Sequence, residues 1–315
     1  MNNPPTNSLN KTPRHKKWLG RFAPSPSGPL HLGSLVAAVA SFMIAKQNGG
    51  SWLVRIEDLD PPREIAGAAD AILSCLDDCA LHWDGEVVYQ SQRSEIYRQR
   101  LRELTKQSIV YQCDCSRKLI EARHHGVYDG YCDARNLLET SDQATRIRFA
   151  SGFEIFEDKI LGRCEFSSAN DQHDFIVKRR DGLFAYQLAV VADDIEQGID
   201  HVVRGKDILD STPRQNFLYQ CFGLSPPSYY HLPLVEDSKG IKFSKRSGSE
   251  AVVKERASEM LVHAFDHLGQ KIDPEMLAAK PDEIITHFLK NWRTDKILSE
   301  ASQLQRPKNK LVETD

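Results

Sequence analysis

Apolar and polar positions change rhythm repeatedly over the first hundred residues. Trp18 to Phe22 reads as a short strand, followed by the turn-rich Pro24-Ser25-Pro26-Ser27-Gly28-Pro29; Leu32 to Gln47 then takes up helical periodicity with good helix formers. Ser51 to Ile56 reads as a second strand. It leads into the carboxylate-rich Glu57-Asp58-Leu59-Asp60, a Pro-Pro helix start and an amphipathic helix through about Leu81. Alternating strands and helices are the pattern of an α/β fold, a parallel sheet with crossover helices.

After a helix over Ser94 to Lys106 the pattern changes to a cysteine-bearing stretch and then to β-like segments at Thr145–Phe149, Glu154–Ile160 and Phe175–Arg179. This predicts an α+β insertion that splits the sheet, with Arg180-Asp181-Gly182 turning a hairpin. Ala189–Gln197 reads as a short helix, His201–Arg204 as a strand returning to the sheet, and Thr212–Phe222 as the helix behind it. From Lys254 onward the chain is helix-forming, punctuated by Pro274 and Pro281. The division expected is a disordered tail at 1–17, the first half of the sheet domain at 18–110, the insertion at 111–188, the second half at 189–235, and a basic loop with a helical C-terminal region at 236–315.

Composition narrows the function classes. With 315 residues, 40% of them hydrophobic, the chain can bury a substantial core. A net charge of -3 argues against coating nucleic acid by charge alone, so an RNA partner would be met by a local patch. No apolar run approaches the roughly 20 residues that span a bilayer. The first residues lack a secretory signal's apolar core, which points to the cytoplasm. Seven cysteines then mean burial, metal or catalysis rather than disulfides. Cys75, Cys79, Cys164 and Cys221 fit core packing. Cys113, Cys115 and Cys132 form a set with zinc-like spacing, for which imidazole chemistry would choose His124 or His125 as fourth ligand.

Two clusters suit a nucleoside triphosphate. The strand, Gly/Pro loop and helix start around His31 present backbone N–H groups to an anion. Lys242-Phe243-Ser244-Lys245-Arg246, between Gly240 and Ser247-Gly248-Ser249, places cations on a loop. Read alone, the first is equally a capped helix and the second a solvated charged loop.

Together with Arg55-Ile56-Glu57-Asp58-Leu59-Asp60, these motifs carry a resemblance. Arg21 to Ser34 resembles the first signature of class I glutamyl-tRNA synthetases, and Lys242 to Arg246 resembles their second; the likeness runs from about Trp18 to Arg246. It implies a Rossmann-like catalytic domain that joins glutamate to ATP as glutamyl-adenylate with Mg²⁺ on the phosphates. The resemblance also implies catalytic roles for His31 and Lys245. ATP contacts are implied for His31, Gly33, Lys242, Ser244 and Lys245. For glutamate, Arg21 and Arg204 are implied at the side-chain carboxylate, Glu57 at the amine, and Phe22, Ala23, Pro24, Ser25 and Tyr186 around the rest. Ser34 stands where the family carries a second histidine, and Phe243 and Arg246 replace the usual methionine and serine. Arg55 with Glu57 as a structural ion pair, and Tyr186 as a core aromatic, are the plainer alternatives.

Cys113-x-Cys115, twelve intervening residues, then Tyr128-x-x-x-Cys132 is similar to the zinc site of one short subgroup of this family, in which the tyrosine is a ligand. That resemblance implies one structural Zn²⁺ on Cys113, Cys115, Tyr128 and Cys132, with His125 as fallback. Little chain follows Arg246 to form an anticodon-binding region, which also fits the subgroup. Its members attach glutamate to the queuosine base in the anticodon of tRNA(Asp), and a monomer is expected. Three other readings remain. They are a minimal enzyme charging a tRNA 3′ end, a nucleotidyl transferase on the same fold acting on a small molecule, and an inactive zinc-containing RNA-binding paralogue.

Overall fold

The computed structural model describes residues 18–124, 128–150, 152–153, 155–166, 173–235 and 251–297. In chain order the first half comprises β1 (Leu19–Phe22), α1 (Leu32–Gln47), β2 (Ser51–Ile56), α2 (Ala68–Asp78), β3 (Val88–Tyr89) and α3 (Ser94–Lys106). The inserted part carries β4 (Val110–Cys113), α4 (Arg117–His124), β5 (Ala144–Ile147), β6 (Ile155–Asp158), β7 (Gly162–Glu165) and β8 (Phe175–Lys178). Then follow α5 (Tyr186–Gln197), β9 (His201–Gly205), α6 (Thr212–Cys221), β10 (Ser228–Leu232), α7 (Ala257–His267) and α8 (Pro281–Asn291).

Five parallel strands in the order β10-β9-β1-β2-β3 form the central sheet. The chain moves outward from β1 through β2 to β3, leaves to build the insertion, and returns on the other side of β1 at β9. That reversal places a crevice outside the carboxyl ends of β1 and β9, where ligands bind in open α/β sheets. Side chains alternate across β1: Gly20 and Phe22 face α1, while Arg21 reaches Asp194 on α5. The two helices therefore cover opposite faces.

Helix α1 is buried nearly all round, from Leu35 to Ala45, because the sheet lies on one side and α7 and α8 on the other. Phe265 of α7 stacks on Phe288 of α8 at 3.8 Å between ring centres. A second apolar cluster joins α3, α5, α6 and β8. No helix among the described residues is long and apolar enough to cross a membrane.

In the inserted part, β4, β5 and β8 make an antiparallel sheet and β6 and β7 a separate hairpin. The turn of that hairpin docks on the central sheet, with Lys159 N donating to Tyr229 O at 2.9 Å.

Several local expectations are corrected. Helix α2 does not run from the proline pair: Pro61–Arg63 is one 3-10 turn, Ile65 N bonds back to Pro26 O at 3.0 Å, and the helix restarts after Gly67 at φ 77°. The turn at Arg180-Asp181-Gly182 forms, with Arg179 N on Leu183 O at 2.7 Å. It opens no second strand, because a single bridge from Lys178 to Phe184 precedes α5, which begins at Tyr186 rather than Ala189. Strand β10, behind Pro226-Pro227, was not anticipated, nor were β3, β4 and β7.

Candidate active site and thiol centre

A cleft of about 660 Å³ opens at the β1/β9 crevice. Arg21, Phe22, Ala23, Pro24, Ser25, His31, Gly33, Glu57, Tyr186 and Arg204 all line it. Every expected glutamate residue thus meets at one place, as do His31 and Gly33 of the expected ATP residues. Lys242, Ser244 and Lys245 lie outside the described residues. The flanks of their segment can be followed: Val235 lines the cleft, and Ala251 forms an antiparallel bridge with His31.

The loop between β1 and α1 is shaped by its own backbone. Ser27 N bonds Ser25 O at 2.8 Å, and Glu57 N bonds Pro24 O at 2.9 Å, which ties the exits of β1 and β2 together. His31 caps α1, its Nδ1 accepting from Ser34 N at 3.3 Å, while the Ser34 hydroxyl lies 3.2 Å from Nε2. Ser34, where the family has histidine, therefore holds the histidine that is retained. The unpaired first N–H groups of α1 and its dipole open the cleft to an anion.

Behind the cleft lies a buried charge network. Arg21 donates from Nε and Nη2 to the two oxygens of Asp194 at 3.1 and 3.3 Å. Arg55 donates to Asp194 at 2.7 Å and to Glu57 at 3.3 Å. Asp193 accepts from Gln90, Arg93 and Tyr97. Burial works against ionisation of Asp194, but Arg21 and Arg55 prevail and hold its carboxyl below the usual range. Glu57 goes the other way. Burial pushes its carboxyl up, Asp194 adds to this, and Arg55 and Arg21 only partly offset them. The structural pairing of Arg55 with Glu57 is thus present, and Glu57 still faces the cleft.

Arg204 differs from Arg21 in its partners. It is 5% exposed, and its guanidinium meets only neutral acceptors: His231 Nε2 at 3.0 Å, Gln215 Oε1 at 2.7 Å and Thr212 Oγ1 at 2.7 Å. Among the described residues no carboxylate pairs with it. A buried cation left in this state is short of one anion. Tyr186, at the first turn of α5, stands in the cleft beside Arg204, Glu57 and Arg21, and burial raises its phenol. It is not a core aromatic.

Asp194, His231, Gln215 and Thr212 escaped the sequence reading. A pair of adjacent aspartates inside the apolar run Leu188–Ile195 was the one available signal, since a buried carboxylate requires a cation.

The three expected cysteines come together, their sulfurs within 4.8 Å of one another. Zn–S bonds of about 2.3 Å at tetrahedral angles space sulfurs by roughly 3.8 Å, so the set fits a metal. Cys115 Sγ lies 3.4 Å from Cys132 Sγ. The Tyr128 oxygen accepts from Cys132 N at 3.0 Å. Arg146 donates to Cys113 Sγ at 3.3 Å and covers the Tyr128 ring. Burial, helped by the neighbouring sulfurs, pushes Cys115 up to about 12. Three sulfurs this close can ionise together only with a cation among them. His125 lies outside the described residues, as does the His124 side chain. Of the four remaining cysteines, Cys75, Cys79 and Cys164 are buried and Cys221 is half-buried.

Comparison with known proteins agrees with this geometry. The family profile described as tRNA synthetases class I (E and Q), catalytic domain, matches residues 18–297. The chain is 46% identical over 296 residues to a glutamyl-Q tRNA(Asp) synthetase of Vibrio parahaemolyticus, covering 94% of this chain and 99% of the relative. It is 47% identical over 275 residues to a protein of that name from Idiomarina loihiensis, covering 87% and 96%. A glutamate tRNA ligase from Elizabethkingia meningosepticum, solved in complex with its amino acid, superposes with a TM-score of 0.74 at 25% identity, over 90% of this chain. The chain spans 66% of that ligase. A parallel sheet with its cleft at the strand reversal, and a profile match over nearly the whole described chain, show that this protein belongs to the catalytic-domain family of class I tRNA synthetases of the E and Q type.

Proposed function

We propose that the protein activates glutamate with ATP and transfers the glutamyl group to the queuosine base in the anticodon of tRNA(Asp). The observation that carries the amino acid is Arg204: a buried guanidinium with no carboxylate partner among the described residues, in one cleft with the carboxylate of Glu57. An amino acid with an acidic side chain supplies the anion Arg204 is short of and brings an ammonium that Glu57 can accept. Its side-chain carboxylate takes Arg204, with Arg21 beside it, and its ammonium takes Glu57. Tyr186 closes the pocket, and the Phe22-Ala23-Pro24-Ser25 backbone borders the other end.

One α-carboxylate oxygen of glutamate attacks the α-phosphorus of ATP, and pyrophosphate leaves. The nucleophile is already an anion, so no general base is needed and catalysis is positioning plus charge neutralisation. His31, Gly33 and the N-terminus of α1 receive the phosphates. By the family resemblance, Lys245, with Lys242 and Ser244, supplies the charge that neutralises the departing phosphates. When bound, Mg²⁺ neutralises the triphosphate. In the second step a hydroxyl of the queuosine cyclopentenediol attacks the acyl carbon and AMP departs.

The acceptor rests on the relatives named glutamyl-Q tRNA(Asp) synthetase, which are matched over nearly their whole length. Cys113, Cys115, Cys132 and Tyr128 hold one zinc ion in this reading, and a closed set of protein ligands makes it structural. The reaction belongs in a reducing cytoplasm, with the enzyme acting as a monomer.

Incubating the protein with ATP, labelled glutamate and tRNA from cells with and without queuosine tests this directly. Label should enter only the queuosine-containing pool. Equal labelling of both pools would overturn the acceptor, and the absence of glutamate-dependent exchange between ATP and pyrophosphate would overturn the activation.

A further inference from the structure

The turn of the β6–β7 hairpin belongs to the inserted part, yet through β10 it reaches Arg204, which lines the amino-acid pocket. Asp158, 4% exposed, accepts from the backbone N–H groups of Ile160 and Leu161 at Oδ1, both at 2.9 Å. At Oδ2 it meets His231 of β10 twice, through the backbone N–H at 3.1 Å and through ring Nδ1 at 2.7 Å. His231 is fully buried, and its Nε2 faces Arg204 Nε at 3.0 Å.

Both ends of this chain dictate one tautomer. A carboxylate can only accept, so Nδ1 carries the proton; a guanidinium can only donate, so Nε2 must offer its lone pair. Burial, helped by Arg204, keeps the imidazole neutral despite Asp158. The neutral ring therefore holds Arg204 at Nε, while Gln215 and Thr212 hold one N–H on each terminal nitrogen. Among the described residues three of its five donors are engaged, leaving one N–H on each terminal nitrogen for a ligand.

We infer that Asp158 and His231 are positioning residues for glutamate recognition, a buried relay through which the docked hairpin of the insertion sets the orientation of the Arg204 fork. The inference rests on the reading of Arg204 as receptor of the substrate's side-chain carboxylate. Asparagine cannot replace Asp158 quietly. Oδ1 accepts from three N–H groups and Oδ2 from two donors, so either orientation of an amide turns its NH₂ toward N–H groups.

The test is kcat/KM for glutamate and for ATP in pyrophosphate exchange by the full chain. His231→Phe, His231→Gln and Asp158→Asn are each measured with and without Arg204→Ala, with thermal unfolding alongside. His231→Phe and Asp158→Asn should lower kcat/KM for glutamate roughly ten- to a hundredfold, the range for a lost hydrogen bond to a charged group. The value for ATP should stay within about twofold, because no member of the relay contacts the phosphate end. His231→Gln, which can still present an oxygen to Arg204, should recover most of the loss. None should add to Arg204→Ala.

Equal losses for both substrates, or losses that multiply with Arg204→Ala, would reduce the relay to a docking contact and overturn the inference. Silent relay variants beside a damaged Arg204→Ala would overturn it alone. An Arg204→Ala protein with unchanged glutamate kinetics would remove the receptor reading and this inference with it. Should His231→Phe not fold, His231→Gln and Asp158→Asn carry the same comparison.

Discussion

Replacing Asp194 by asparagine removes one charge from the centre of the buried network. Arg21, Arg55 and Arg93 face Glu57, Asp193 and Asp194 there, so the ionised network balances. Asparagine placed with its oxygen at Oδ1 keeps bonds from Arg21 Nε and Arg55, but points its NH₂ at Arg21 Nη2, now donor against donor. The remaining positive charge has no route to water, because Arg21, Arg55 and Asp194 are each at most 5% exposed in their side chains. Breaking a buried pair from one side costs about 3–5 kcal/mol. For a chain of this size that lowers the melting temperature by roughly 6–20 °C. Arg21 lines the cleft and loses its anchor, so the glutamate requirement should rise as well, about tenfold by the scale of a charged hydrogen bond. Calorimetry and pyrophosphate exchange read the two effects. A melting temperature within about 2 °C of the parent, with unchanged glutamate kinetics, would refute the claim that Asp194 neutralises both arginines.

Other consequences can be measured separately. Glu57→Gln should lower kcat/KM for glutamate about ten- to a hundredfold and spare that for ATP. Burial raises Glu57, so glutamate affinity in the parent should fall as the pH drops through that raised value; an acid limb that persists unchanged in the variant would contradict the amine contact. Burial lowers His231 from 6.5, so its contribution to stability is complete above that pH and is lost as the pH falls toward the folded value. Asp158, lowered from 3.8, adds a second loss below that pH. Stability curves should flatten near pH 6 in His231→Gln and below pH 4 in Asp158→Asn, and curves parallel to the parent's would show that neither group is linked to folding. Cys113→Ser should release bound zinc, measured with a chromogenic chelator, and lower the melting temperature before it slows the chemical step. Zinc retained at one per chain would show that the ligand set is wrong.

Hydrophobic period and turn chemistry were enough to place α1, β2 and α3 to the residue, because each is bounded by glycine, proline or charged residues and its burial pattern is local. The same period failed where tertiary contacts decide. Strand β10 follows two prolines and owes its place to pairing with β9, and the start of α2 is displaced to Ala68 by a bond between Ile65 and the β1–α1 loop. The thiol set was legible as spacing, since ligands of one ion lie close in the chain as well as in space.

The sequence by itself determined the alternating architecture, the residue types at the cleft and the cysteine set. Only the tertiary structure decided which of two pocket arginines already has its counter-ion. Arg21 and Asp194 are separated by 173 positions, Arg204 and His231 by 27. Charge compensation in a buried site depends on distances that no local pattern encodes. Two guanidinium groups that look alike in the chain become, in the folded protein, one neutralised support and one cation with no anion beside it among the described residues.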